Sequence, residues 1–218
     1  MKKIQTLTFA FLMFGCKIMA QPHIETLDMS EFKNQELELN KRYTDEIGDT
    51  IIEYGWYKHG SDNYRDIIDK RIYIKGSPYW TAKTYYKTNY QLRSEVTFFY
   101  RVNTGISKKY DENGNIVEEQ DHENGIAKKY DESGNIIAET DYSKAQKRIF
   151  TIEDLIKKMK KEFDIDLLDS SKSGVGVDIG GNPFAYSIAI SLYPFMRLIK
   201  INVNTGQLIS DETLGYEK

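Results

Sequence analysis

The chain has one cysteine, Cys16, and it lies in a stretch that reads as removable. Residues 1–20 carry Lys2 and Lys3, an apolar core from Leu7 to Phe14, and Ile18-Met19-Ala20 before Gln21. That layout is a secretory signal and implies export to the periplasm, the cell envelope or the medium. Cleavage after Ala20 leaves no cysteine, which excludes disulfides, thiol catalysis and cysteine-ligated metal. Lipidation at Cys16 is the competing reading, but Phe14 stands where a lipobox wants a small residue. Histidine is scarce too. His23, His59 and His122 are far apart and have no ligand spacing. No apolar run reaches the roughly 20 residues that span a bilayer. Basic charge is in deficit. The leader takes three lysines and no acid, so the remainder holds 27 basic against 33 acidic residues, a net charge of −6. That balance repels a phosphate backbone and removes nucleic acid from the expected partners, whereas a basic protein is compatible.

What is present is a tandem repeat. Residues 105–124 read GISKKYDENGNIVEEQDHEN, and residues 125–144 read GIAKKYDESGNIIAETDYSK. The period is 20, with Gly105/Gly125, Lys108/Lys128, Tyr110/Tyr130, Gly114/Gly134, Glu119/Glu139 and Asp121/Asp141 in register. Short periods with fixed glycines mark units that stack and cannot bury a face alone. Asn113-Gly114 signals a two-residue hairpin turn with φ > 0 at both central positions, and Ser133-Gly134 is a weaker version. Pairing outward places Tyr110 opposite Val117, Tyr130 opposite Ile137, Lys108 opposite Glu119 and Lys128 opposite Glu139. Aromatic/β-branched and opposite-charge pairs are the favourable cross-strand combinations. Asn124-Gly125 supplies the next turn, so the region reads as a β-meander with two polar faces.

The flanking regions differ. Residues 21–42 are a polar lead-in with a short helix around Ser30 to Leu39. Residues 43–104 are rich in aromatic and β-branched residues and read as strands, punctuated by Gly60–Asn63 and Gly76–Pro78. Degenerate repeat copies are visible at Tyr86–Gly105 and Tyr43–Gly60. From Phe150 a helix begins, with Thr151 as cap, Asp154 at the capping-box position and Phe150 as staple onto Leu155. Ile152, Leu155, Ile156, Met159 and Phe163 share one helical face. Strands follow around Val175–Ile179, Ala185–Leu192, Leu198–Val203 and Gln207–Ser210. The expected fold class is α+β, mainly β. Its parts are a signal at 1–20, a lead-in at 21–42, a hairpin repeat region at 43–144 and a helix-plus-antiparallel-sheet unit at 145–218.

Tyr110–Ile116 and Tyr130–Ile136 resemble the MORN-variant repeat of YwqK-family antitoxins. Their Tyr-Asp-x-x-Gly-Asn core also resembles YD repeats. YD repeats build shells from many copies, so two copies fit the short antitoxin pattern better. Residues 150–212 are similar to a PepSY-type domain through the amphipathic helix, the strand Tyr186–Ile190 and the hairpin Ile201–Leu208. These resemblances imply binding and inhibition.

Catalytic readings are weaker than their structural alternatives. Asp111–Asn115 lacks the glycine and glutamate positions of an EF-hand. Gly174–Gly176 with Gly180-Gly181 lacks the strand-loop-helix order and lysine of a phosphate loop. Glu119 and Glu139 face lysines, which points to solvated strand faces. His122 reads as a solvated turn residue, since Tyr142 replaces it in the second copy. The aromatic run Tyr79-Trp80, Tyr85-Tyr86, Tyr90 and Phe98–Tyr100 reads first as β-core and second as a contact surface. The expectation is a noncatalytic exported protein that occludes a basic toxin or an envelope protein, without cofactor or metal. Its contact residues would be Trp80, Tyr86, Tyr110, Tyr130, Glu118, Glu119, Glu139 and Asp141. The alternatives are an envelope scaffold or glycan-binding protein, then a glycan hydrolase.

Overall fold

The computed structural model describes residues 25–32, 41–57, 67–143, 148–170, 175–181 and 184–215. The expected secretory leader, Cys16, His23, His59 and the turn read at Gly60–Asn63 lie outside the described residues. The chain is mainly β, and one α-helix is described in full.

Nine strands run antiparallel in sequence order: β1 (Arg42–Ile47), β2 (Thr50–Tyr57), β3 (Ile67–Ile74), β4 (Tyr79–Tyr86), β5 (Leu92–Phe99), β6 (Val102–Tyr110), β7 (Ile116–Asp121), β8 (Ile126–Tyr130) and β9 (Ile136–Asp141). This is the meander that turn spacing and alternation predict. A second antiparallel sheet comprises β10 (Val175–Gly180), β11 (Ala185–Leu192), β12 (Phe195–Asn202) and β13 (Leu208–Gly215). The last strand runs five residues past its expected end.

The repeat hairpins keep the expected charge register but not the expected turn. Lys108 faces Glu119 and Lys128 faces Glu139. Tyr110 faces Ile116 rather than Val117, and Tyr130 faces Ile136 rather than Ile137, because a register shift precedes each tyrosine. The cause is the aspartate. Oδ1 of Asp111 accepts from the N–H of Asn113 at 2.9 Å and of Asn115 at 2.8 Å, while the Asp111 carbonyl accepts from Gly114 N at 3.1 Å. Asp131 does the same with Ser133, Asn135 and Gly134. Only the glycine takes positive φ, +82° at Gly114 and +79° at Gly134. The Asp-x-x-Gly-Asn set therefore forms the turn, and residue 113 or 133 is incidental.

The lead-in is tied down where it is described. Thr26 bridges Gln91, Leu27 N donates to Tyr90 O, and Leu92 N donates to Glu25 O. Leu27 then packs with Tyr54, Ile68, Tyr85 and Leu92 in one core. The helix expected around Ser30 is a single 3₁₀ turn, Met29–Phe32; residues 33–40 lie outside the description.

The helix α1 (Ile152–Phe163) has the predicted start, a full capping box between Thr151 and Asp154. Its buried face, Ile152, Leu155 and Met159, packs with Val177, Tyr186, Ile188, Ile199, Ile201 and Val203. Phe99 and Val102 from the nine-stranded sheet complete this second core. The Phe150 ring sits against this core and also over Gly206, where an added Cβ would lie 2.5 Å from it. Among the described residues, neither core includes a residue of β7, β8 or β9.

Candidate functional site

The eight expected contact residues fall in three places. Trp80 stands in β4 on the face opposite Tyr85. Its ring stacks on Phe98 at 4.0 Å and on Tyr73 at 5.4 Å, from the strands on either side. Arg71 lies 5.9 Å from the same ring, and Trp80 Nε1 donates to Tyr100 O at 2.6 Å. Both faces of the indole are thus occupied from within, which leaves no flat platform on Trp80 for a sugar ring.

Tyr86 and Tyr110 meet. Tyr86 is 6% exposed, and its hydroxyl donates to Tyr110 O at 2.7 Å. The pair lines a hollow of about 370 Å³ together with Ile67, Thr84, Arg93, Ser94, Lys109 and Val117. Burial, with Glu95 and Glu25 nearby, pushes the Tyr110 phenol above its ordinary range. Arg93, 5.7 Å from the Tyr86 ring, went unpredicted because it lies outside the clean copies.

The remaining five line the repeat sheet. Lys109 pairs with Glu118 at 2.8 Å and Lys108 with Glu119 at 3.4 Å. Tyr130 donates to Glu119 at 2.6 Å, a bond that raises the phenol pKa. Lys128 reaches Glu139 at 3.9 Å, and Asp141 accepts from Ser143 N at 2.7 Å. The carboxylates of β7 are therefore engaged on a half-buried strand, whereas β9 is exposed at all six residues.

His122 sits in a turn, as expected, but is only partly exposed. Its Nε2 lies 3.0 Å from Ser107 Oγ. Burial and the charge of Arg148 hold the imidazole below its ordinary pKa, against the pull of Asp121. Arg148 is 8% exposed; its N–H donates to Glu123 O and its Nη1 to Asn103 O at 2.7 Å, which ties the segment before α1 to the β7–β8 turn and to β6. Asp111 and Asp121 feel burial pushing them up, but the hydrogen bonds from Asn115 and Asn113, and from Asn124 and Glu123, win and lower both. These shifts belong to turns and not to a reaction centre.

Two further hollows flank the four-stranded sheet. One of about 580 Å³ runs between Trp80, Tyr100 and Arg101 and the β10–β12 surface. The other, about 470 Å³, lies over Asp178, Ser187, Lys200 and Glu212. Among the described residues no three His, Cys, Asp or Glu side chains are grouped to hold a metal ion. None of the described helices is long and apolar enough to cross a membrane.

No family model matches the chain, and no curated protein does. The resemblances to MORN-variant, YwqK-family and YD repeats therefore rest on the repeat residues alone. Among solved structures the chain is similar to the C-terminal domain of YpeB from Bacillus megaterium, at 13% identity over 77% of this chain and 90% of that one. The TM-score is 0.19, too low to carry an argument about fold or function.

Proposed function

We propose that the protein is an exported, noncatalytic protein-binding module of the immunity or antitoxin kind. The observation that carries this reading is the repeat sheet itself. Among the described residues β7–β9 contribute none to either core, yet they are held by turn aspartates and cross-strand ion pairs. Surface built so regularly without serving the core is surface for presentation. Its Lys108, Lys109, Glu118, Glu119, Asp111 and Asp131 are engaged in ladders and turns, an arrangement that supports recognition rather than bond-breaking. The glycan-binding alternative loses its best platform because Trp80 is stacked on both sides.

The test is retention of a partner. Tagged protein beginning at Gln21 is incubated with envelope and secreted fractions, and bound proteins are quantified by mass spectrometry. One near-stoichiometric protein, displaced by excess untagged protein, is the expected result. Retention of polysaccharide without protein, or of nothing, would remove the reading.

A further inference from the structure

The geometry points to the outer edge of β9 as a docking site for an extended, basic segment of a partner protein, added as a tenth strand. The inference deepens the protein-binding reading and rests on it. Within the sheet, strands of two kinds alternate. β6 and β8 carry the pattern Ile-x-Lys-Lys-Tyr, and β7 and β9 carry the acidic pattern ending Glu-x-Asp. Glu119 of β7 accordingly has Lys108 opposite it on one side and Lys128 on the other. Glu139 of β9 is its counterpart 20 residues on, and it has Lys128 on the inner side only among the described strands. Its side chain is 53% exposed.

The backbone repeats the same logic. His122 N donates inward to Gly105 O, so by alternation the amides of Glu119 and Asp121 point outward, toward β8. Tyr142 N donates inward to Gly125 O in the same way. The amide of Glu139 then points outward from the last strand in the sheet order. β9 thus presents the ladder positions and the charge that β7 uses to bind β8, and the strand that fits is a lysine strand. A second copy of this chain fits poorly. β9 against β9 sets Glu139 and Asp141 among like charges, and β1, the sheet's other edge, brings Asp45 and Glu46 while its Arg42 is already held by Glu53 and Asp69. Strand addition of this kind takes affinity from main-chain bonds and specificity from alternate side chains.

The probe is a synthetic peptide copying Gly125–Asp131, titrated into isotope-labelled protein and followed by amide NMR shifts. Saturable shifts centred on Glu139 and Asp141 are expected. A peptide with Glu at both lysine positions should not bind. Glu139→Gln should weaken binding roughly fivefold. Glu139→Pro should abolish it, because it removes an outward amide and leaves the β8 ladder intact. If Glu139→Pro fails to fold, Glu139→Lys serves, with a larger loss than Gln. Shifts centred on β1, β10 or β13, undiminished binding by these variants, or self-association that competes with the peptide would overturn the assignment. A natural partner retained equally by wild type and Glu139→Pro would keep the protein-binding reading and discard the edge. Peptide binding at β9 with no retained envelope protein would keep the edge and discard that reading.

Discussion

Gly206 and Gly134 allow the cost of a left-handed glycine to be separated from the cost of a blocked space. Both take positive φ, +67° and +79°. An L side chain held there costs about 1–2 kcal/mol. At Gly134 an added Cβ meets nothing within 4 Å, so Gly134→Ala should cost only that much. At Gly206 the Cβ would lie 2.5 Å from two carbons of the Phe150 ring. Phe150 packs against the core beneath α1, so the ring has little room to retreat. Overpacking of this kind adds about 1–3 kcal/mol. Gly206→Ala should therefore cost about 2–5 kcal/mol in total. Equilibrium urea unfolding by far-ultraviolet circular dichroism reads both variants, with tryptophan fluorescence as a second probe. Trp56 and Trp80 both lie in the nine-stranded sheet, so fluorescence following the dichroism would show the two sheets unfolding together. In a Phe150→Leu background the excess cost of Gly206→Ala should vanish, as a double-mutant cycle would register. Equal costs for the two glycine variants, or an excess that survives Phe150→Leu, would refute the steric argument.

Stability should fall as pH drops from 7 toward 5. His122 binds its proton less readily folded than unfolded, so its contribution is complete above the unfolded value of about 6.5 and is lost below it. His122→Tyr, the residue of the second copy, should flatten that slope in urea titrations at each pH. A further acid loss should come from Asp111 and Asp121. Both are held below the usual carboxylate value, so their contribution is present above about 3.9 and fades as pH falls through the lower folded values. Ser133→Asn should change the unfolding free energy by less than about 0.5 kcal/mol, while Asp111→Ala should cost about 1–2 kcal/mol, both by urea unfolding. Thr151→Ala should cost about 1 kcal/mol through loss of the helix cap.

The sequence made the repeat, its charge register and the helix start legible because each is a local pattern. Lys108–Glu119 and Lys128–Glu139 follow from counting outward from a turn, and a one-residue bulge beyond them does not disturb the count. The same bulge spoiled the tyrosine pairings. It arises from hydrogen bonds to the Asp111 and Asp131 carboxylates, which an Asn-Gly reading overlooks. Long-range contacts were illegible for a different reason. Nothing in Glu25 or Leu27 announces that a segment counted as lead-in will dock beside Tyr90–Leu92, since Glu25 finds partners as far as 60 residues along the chain. Lys83 holds Glu25 at 2.7 Å across 58 residues of sequence. The environment of His122 was missed likewise, because Arg148 reaches it from the other side of residues 144–147.

The exclusion of β7–β9 from both cores has a dynamic consequence. Among the described residues none of these strands holds a buried side chain, and beyond the tie of Arg148 to Glu123 O they rest chiefly on the ladders to their neighbours. Opening free energies should then decline stepwise from β6 to β9, and amide exchange would show it as a gradient along the sheet. The final strand should be the cheapest of the three to melt. A ligand arriving there would meet a fluctuating edge and would quiet it on binding. Part of the contact energy would go into that ordering, which favours a complex that forms selectively and releases readily over one that locks.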